Sequence, residues 1–170
     1  MTPPTATRRH VLATAAAALV LPGAALASPI REIDWEDLVP PGVPPAEIVG
    51  MGTMDRQNDT WRPTYDENAT KLNTSLDGKT VRLPGFIIPM DIGAKGVTSF
   101  ILVPYVGACI HVPPPPANQL VFVSTTTPWP QDDLWDPVWV TGLLSARLQS
   151  TDIAEIGYRI DANKIESYEW

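Results

Sequence analysis

Apolar and polar residues alternate along several short stretches in the second half of the chain. Between Lys79 and Pro89, Val81 and Leu83 alternate with polar neighbours. A period of two is typical of a β-strand that buries one face. The Pro84-Gly85 pair inside this stretch predicts a bend or bulge in the strand.

Other stretches of the same half also predict strands, separated by turn residues. They are Thr98–Tyr105, buried on both faces; Gln119–Ser124; Val138–Gln149, centred on Gly142; and a final hairpin of Gly157–Ile160 and Lys164–Tyr168 through Asp161-Ala162-Asn163. A loop, Thr125–Pro137, separates the third strand from the fourth. Short strands without a long amphipathic helix predict an all-β fold, and a glycine kink within a long strand favours a small OB-like barrel of five to six strands.

The barrel domain is expected to occupy residues 76–170, after a first half with weaker patterning. Residues 28–75 read as a proline-rich arm followed by a polar loop region that packs on the domain. A helix-like stretch, Ile33–Leu38, would attach the arm through Trp35 and Leu38. A second short helix is expected within Asp66–Asn73.

The first 27 residues have the organisation of an export signal. Paired arginines, Arg8 and Arg9, precede an apolar run, Val11–Leu21, and the small-residue exit Ala25-Leu26-Ala27. This is the pattern of a twin-arginine signal peptide, residues 1–27. The run is shorter than the roughly 20 residues that span a bilayer, and no cysteine follows the exit to carry a lipid. We therefore expect a soluble periplasmic protein with no membrane anchor.

The charge of the mature chain argues against one class of partner. Loss of Arg8 and Arg9 leaves 10 cationic residues against 19 acidic ones, a formal net charge of −9. A chain this acidic, without a basic cluster, does not bind a phosphate backbone. Nucleic acid is therefore excluded as a partner.

Two scarce side chains lie close together in the centre of the chain. Cys109 is the single cysteine, and once His10 leaves with the signal peptide His111 is the single histidine. In extended backbone, residues two apart project to the same face. A thiol and an imidazole are then presented side by side.

The residues around this pair would hold it in place. Gly107 allows a tight turn before it, and the Pro113–Pro116 run stiffens the chain after it. Asn118 and Gln119 offer amide groups that could orient the imidazole.

At these residues the sequence resembles an exported bacterial domain family of unknown function. The resemblance rests on Gly107-Ala108-Cys109-Ile110-His111 with its proline run and Asn118-Gln119, on Trp35–Leu38, and on the Gly78–Pro89 strand. It covers nearly the whole mature chain. Some members are similar to accessory proteins encoded beside ABC transporters implicated in periplasmic zinc handling, which implies a periplasmic metal-transport component as partner.

Two chemistries use a cysteine and a histidine at this spacing. Thiolate and imidazole suit zinc or monovalent copper, with Met90, Asp91, Asp132, Asp133, water or a partner completing the ligand set. Alternatively, a protonated histidine lowers the pKa of a neighbouring thiol and makes it a nucleophile, which predicts a thiol-dependent enzyme. A third hypothesis is a purely structural interaction module in which the pair is buried packing. We favour transition-metal handling without turnover, zinc first and copper second.

Overall fold

The computed structural model describes residues 29–56, 60–106, 114–130, 136–151 and 154–168. These ranges contain eight strands: β1 (Arg31–Glu32), β2 (Thr53–Asp55), β3 (Thr60–Arg62), β4 (Thr80–Gly93), β5 (Gly96–Val103), β6 (Val121–Trp129), β7 (Val138–Ser150) and β8 (Glu155–Ser167). They also contain three short 3-10 helices, Glu67–Thr70, Thr74–Leu76 and Ala117–Gln119. Among the described residues, no helix is long and apolar enough to cross a membrane.

The last five strands form a closed barrel. The strand order is β4-β5-β6-β8-β7, and pairing between β4 and β7 closes it. The β6–β8 pair is parallel, whereas the other barrel pairs are antiparallel. If the five barrel strands are numbered by their order in the chain, they follow one another around the barrel as first, second, third, fifth and fourth. This is the Greek-key arrangement of the OB fold. The predicted all-β, OB-like barrel is confirmed, with β1 added in parallel to β4.

Strand β4 changes its partner at the predicted bend. Its first half, up to Gly85, pairs with β7, and its second half, from Phe86, pairs with β5. A β-carbon on Gly85 would lie 2.9 Å from Cζ2 of Trp35 and 2.8 Å from the Val103 carbonyl oxygen. Glycine therefore lets Trp35 of the arm approach the strand, where its indole nitrogen donates to the Pro84 carbonyl over 2.8 Å.

The barrel interior is filled by alternate residues of every strand. Its largest fully buried members include Phe100, Leu83, Leu144, Ile160 and Tyr158. Burial of such side chains contributes about 1.5–3 kcal/mol each.

The arm is held against one end of the barrel by a buried tyrosine. The Tyr158 hydroxyl donates to the Leu38 carbonyl oxygen and accepts from the Asn73 backbone N–H over 2.6 Å. Leu38 itself is fully buried in the main core. Trp35 and Leu38 thus both pack on the barrel, and the chain around Ile33–Leu38 is a turn rather than a helix.

Strand directions define two ends of the barrel. The β4–β5 turn (residues 94–95) and Trp129, which pairs with Val97, lie at what we call the hairpin end. The β5–β6 connection (residues 104–120) and the β7–β8 connection (residues 151–154) lie at the opposite end. We call it the arm end because Leu38 and Asn73 contact Tyr158 there.

The predicted final hairpin is wrong. Residues Glu155–Ser167 form one continuous strand, β8, along the whole of β7. Asp161-Ala162-Asn163 has turn composition, but here it produces a register shift, in which Thr141 pairs with Lys164 and Gly142 with Ala162. Hydrogen bonding to β7 on one side and β6 on the other overrides the local preference.

Smaller differences concern the loops. The predicted Thr125–Pro137 loop begins late, because β6 continues to Trp129, and Gln119 ends a 3-10 helix instead of starting β6. The polar region contains the β2–β3 hairpin, which sequence patterning did not indicate. The helix expected within Asp66–Asn73 is the 3-10 helix Glu67–Thr70, whose first turn is capped by the Asp66 carboxylate.

Candidate functional site

The proposed site residues Cys109 and His111 lie in the segment 107–113, outside the described residues. Both flanks of that segment are described. Strand β5 comes before it and strand β6 after it, and the ends of these strands next to it lie at the arm end. In OB folds the outer face of the second and third strands is the usual ligand surface, and β5 and β6 are those strands here.

The preceding flank is accessible to solvent. After β5 ends at Val103, the chain bends through Pro104 and turns at Tyr105 and Val106. Tyr105 is 38% exposed and Val106 is 56% exposed.

The following flank is anchored in the protein. Pro115, Ala117 and Asn118 are buried, and Pro116 has φ −63° and ψ 158°. These angles are those of polyproline II, as the proline run predicts. The chain therefore leaves the segment in a stiff conformation and enters the 3-10 helix Ala117–Gln119 directly.

Tyr65 connects the two flanks, and sequence analysis did not single it out. Its hydroxyl donates to the Pro114 carbonyl oxygen over 2.9 Å. Burial raises the pKa of the Tyr65 phenol, and the neighbouring Tyr105 raises it further. Tyr65 is consequently a neutral hydrogen-bond donor at physiological pH that lies close to residues on both sides of the segment. Its partner is 49 positions away, so no local pattern could have indicated the contact.

The amide nitrogens of Asn118 and Gln119 attach this flank to residues 28–75. Asn118 Nδ2 donates to the carbonyl oxygens of Asn68 and Lys71 over 2.9 and 3.2 Å. Gln119 Nε2 donates to the Trp35 carbonyl over 2.8 Å. Both amide nitrogens therefore donate to backbone carbonyls, and the orientation of the imidazole by these amide groups stays a prediction.

One hydrogen-bond acceptor in this flank, the Asn118 side-chain oxygen, has no partner among the described residues. Asn118 is 1% exposed, and its Oδ1 is buried without a hydrogen bond to any described residue. A buried unpaired carbonyl of this kind costs on the order of 1–3 kcal/mol unless a donor reaches it.

Two of the additional ligands expected from the sequence, Met90 and Asp91, lie far from both flanks of the segment 107–113. Met90 and Asp91 are exposed residues of the β4 bulge, close to the hairpin end. Asp91 pairs with Ser99, four residues before the end of β5, which is about 13 Å at 3.3 Å per residue. A metal shared with Cys109 would require the 107–113 segment to fold back over that distance.

Asp132 and Asp133 lie outside the described residues. Strand β6 ends at Trp129, opposite Val97 at the hairpin end. In the described part of the chain, no three His, Cys, Asp or Glu side chains are grouped so that they could hold a metal. The set of ligands beyond Cys109 and His111 stays a prediction.

Comparison with known proteins identifies the family. A family model described as "Protein of unknown function (DUF3299)" matches residues 35–167. The crystal structure of a DUF3299 family protein from Pseudomonas aeruginosa PAO1 is similar to this chain, with 36% sequence identity and a TM-score of 0.68. The similarity covers 84% of this chain and 99% of that one. Among curated proteins, none matches this sequence. This chain therefore belongs to the DUF3299 family, whose function is unknown.

Proposed function

We propose that this protein is an exported, soluble binding module that handles a transition metal in the periplasm through Cys109 and His111. Zinc is the first candidate and monovalent copper the second. Residues 1–27 would direct its export, and a periplasmic metal-transport component would be its partner.

The observation that carries this proposal is that the flank directly following the segment with both residues, Pro114–Gln119, is anchored in the protein. Tyr65 holds the Pro114 carbonyl, and the buried Asn118 and the Gln119 amide fasten the next turn to the arm. A ligand-bearing segment with an anchored end loses less conformational entropy on binding. Thiolate and imidazole are also the ligand types that zinc and copper prefer.

The small number of ligands suits transfer rather than storage. Structural zinc sites use four protein ligands. Sites with fewer protein ligands leave a position on the metal that water or another molecule occupies and can leave again. Cys109 and His111 are the single mature residues of their types. The remaining positions on the metal would be taken by water, a carboxylate or the partner protein, so the metal can be passed on without unfolding this chain.

Metal titration tests the proposal. Mature protein is titrated with zinc, and anaerobically with monovalent copper, in competition with a chromophoric chelator. We expect Cys109→Ser and His111→Ala each to lower the affinity at least about tenfold, since each removes a ligand and losses at metal sites reach this size even for groups behind the ligands. Met90→Leu and Asp91→Asn are the matched variants at the hairpin end, and unchanged affinity in both would remove those residues from the ligand set.

Equal affinity in the wild type, Cys109→Ser and His111→Ala would overturn metal handling by the pair. The thiol-enzyme alternative has its own signature in the same proteins. It requires a Cys109 pKa well below the ordinary value of about 8.5, seen as fast alkylation at pH 7 that His111→Ala slows. No alkylation together with no metal binding would leave the structural module.

A further inference from the structure

Residues 64–71, which we call the clamp, hold the flank that follows the segment 107–113 at two points. The Tyr65 hydroxyl donates to the Pro114 carbonyl oxygen over 2.9 Å. Four residues further along, Asn118 Nδ2 donates to the carbonyl oxygens of Asn68 and Lys71 over 2.9 and 3.2 Å. The contact at Pro114 is the one next to the segment, because Pro114 is the first described residue after it.

The backbone of Tyr65 is itself fixed within the clamp. Tyr65 forms an antiparallel bridge with Ile48. Backbone hydrogen bonds of 2.7 and 2.9 Å join its two neighbours, Thr64 and Asp66, to residues 47–49. A phenol that projects from backbone held on both sides has little freedom to move, so its hydrogen bond limits the position of the carbonyl that accepts it.

We propose that Tyr65 is a positioning residue for the Cys109–His111 site and that, through the Pro114 carbonyl, it couples metal binding at that site to the order of the clamp. This inference rests on the function proposed above and adds the residue that regulates its affinity. His111 is three positions before Pro114. Proline fixes φ at Pro113 and Pro114, so few rotatable bonds separate the anchored carbonyl from the residue that carries the imidazole.

Two effects set the expected size of this coupling. Without the Tyr65 hydroxyl, the next hydrogen bond between the flank and the clamp is that of Asn118, four residues later. Loop entropy grows only with the logarithm of chain length, so four more free residues weaken metal binding by about twofold. The net value of one hydrogen bond sets the upper limit, at about tenfold. Tyr65→Phe should therefore weaken zinc binding by a factor between these two limits.

Coupling between two sites is reciprocal. Metal on Cys109 and His111 should strengthen the hydrogen bond from Tyr65 to Pro114 by the same factor by which that bond strengthens metal binding. Backbone N–H groups of the clamp should then exchange with solvent deuterium more slowly in the zinc-loaded protein than in the metal-free one. The clamp would thus respond to metal occupancy without contributing a ligand.

Zinc affinity provides the first test, measured on the full-length mature protein by competition with a chromophoric chelator. Tyr65→Phe should weaken binding by about two- to tenfold. Tyr158→Phe is the matched control, since it removes the same hydroxyl from the attachment of the arm to the barrel and should leave the affinity unchanged. An equal loss in the two variants would overturn the positioning role, because it would reflect general destabilisation.

Hydrogen–deuterium exchange of the wild type provides a second test that needs no variant to fold. Zinc should slow exchange in residues 64–71, and in Tyr65→Phe this slowing should be lost. Exchange in the clamp that is the same with and without zinc would overturn the coupling.

The outcome for Tyr65 can be distinguished from the outcome for the proposed function. Zinc affinity that falls in Cys109→Ser and His111→Ala but is the same in the wild type and Tyr65→Phe would overturn the role of Tyr65 alone. Absence of zinc binding by the wild type would overturn the proposed function and this inference with it.

Discussion

Gly142→Val is expected to destabilise the barrel by about 3 kcal/mol or more, at the upper end of overpacking effects. Gly142 is buried on β7, between Val81 of β4 and Ala162 of β8. A β-carbon there would lie 2.3 Å from the Asp161 carbonyl oxygen and 2.7 Å from the Ala162 α-carbon. Both are backbone atoms of β8, so relief requires β7 and β8 to separate.

Gly93→Val is the matched control for this substitution. A β-carbon at Gly93 would lie 3.6 Å from the nearest atom, the Gly96 carbonyl oxygen, which is an ordinary contact at the exposed hairpin end. Urea unfolding followed by tryptophan fluorescence should show a much lower midpoint for Gly142→Val and a change within about 1 kcal/mol for Gly93→Val. Equal losses in the two variants would contradict the closed barrel described here.

Tyr158→Phe should cost about 1–3 kcal/mol, because it removes a buried hydroxyl that both donates and accepts a hydrogen bond. The Asn73 N–H and the Leu38 carbonyl lose the hydroxyl and keep only the longer hydrogen bond between themselves, of 3.3 Å. The side chain keeps nearly the same shape, so the loss reports on the attachment of the arm rather than on core volume. Unfolding in urea at pH 8 measures it.

The same residue predicts an alkaline limit to stability. Burial raises the pKa of Tyr158 from 10.0 to about 12, partly offset by the hydrogen bond from Asn73. The folded state therefore retains the phenolic proton more tightly than the unfolded state does. Its contribution is complete below about pH 10 and declines as the pH rises to about 12, by up to about 3 kcal/mol.

Comparison of the wild type with Tyr158→Phe isolates this effect from other titrating groups. The stability advantage of the wild type at pH 8 should shrink between pH 10 and pH 12, because only the wild type has a phenol at position 158 that can lose its proton. A difference that stays constant over this range would show that Tyr158 titrates normally in the folded protein.

The alternation of apolar and polar residues predicted much of the barrel, because one face of each strand packs in the core and the other is nearer to solvent. Val81 and Leu83 point inward between polar neighbours, and the Pro84-Gly85 signal coincides with the change of partner in β4. The same approach failed at Asp161-Ala162-Asn163. Turn propensity is a local property, whereas the strand there is held by pairing with β6 and β7, which are distant in sequence.

The anchoring of the candidate site was less predictable for the same reason. Trp35 and Leu38 were recognisable as apolar residues in a polar arm, but their partners were not. Tyr65 reaches Pro114, and Gln119 reaches Trp35 across 84 positions. The local pattern of apolar and polar residues does not show which residues distant in sequence contact each other. The pattern likewise gave no indication that the amide nitrogens of Asn118 and Gln119 donate to backbone carbonyls of residues 28–75.

Cys109 and His111 are proposed to bind one metal ion together. X-ray absorption at the zinc edge, on mature protein loaded with one equivalent of zinc, reads the ligand atoms directly. We predict one sulfur at about 2.3 Å and imidazole nitrogen at about 2.0 Å, with the sulfur absent in Cys109→Ser. A wild-type spectrum with oxygen and nitrogen neighbours alone, the same as that of Cys109→Ser, would contradict the account.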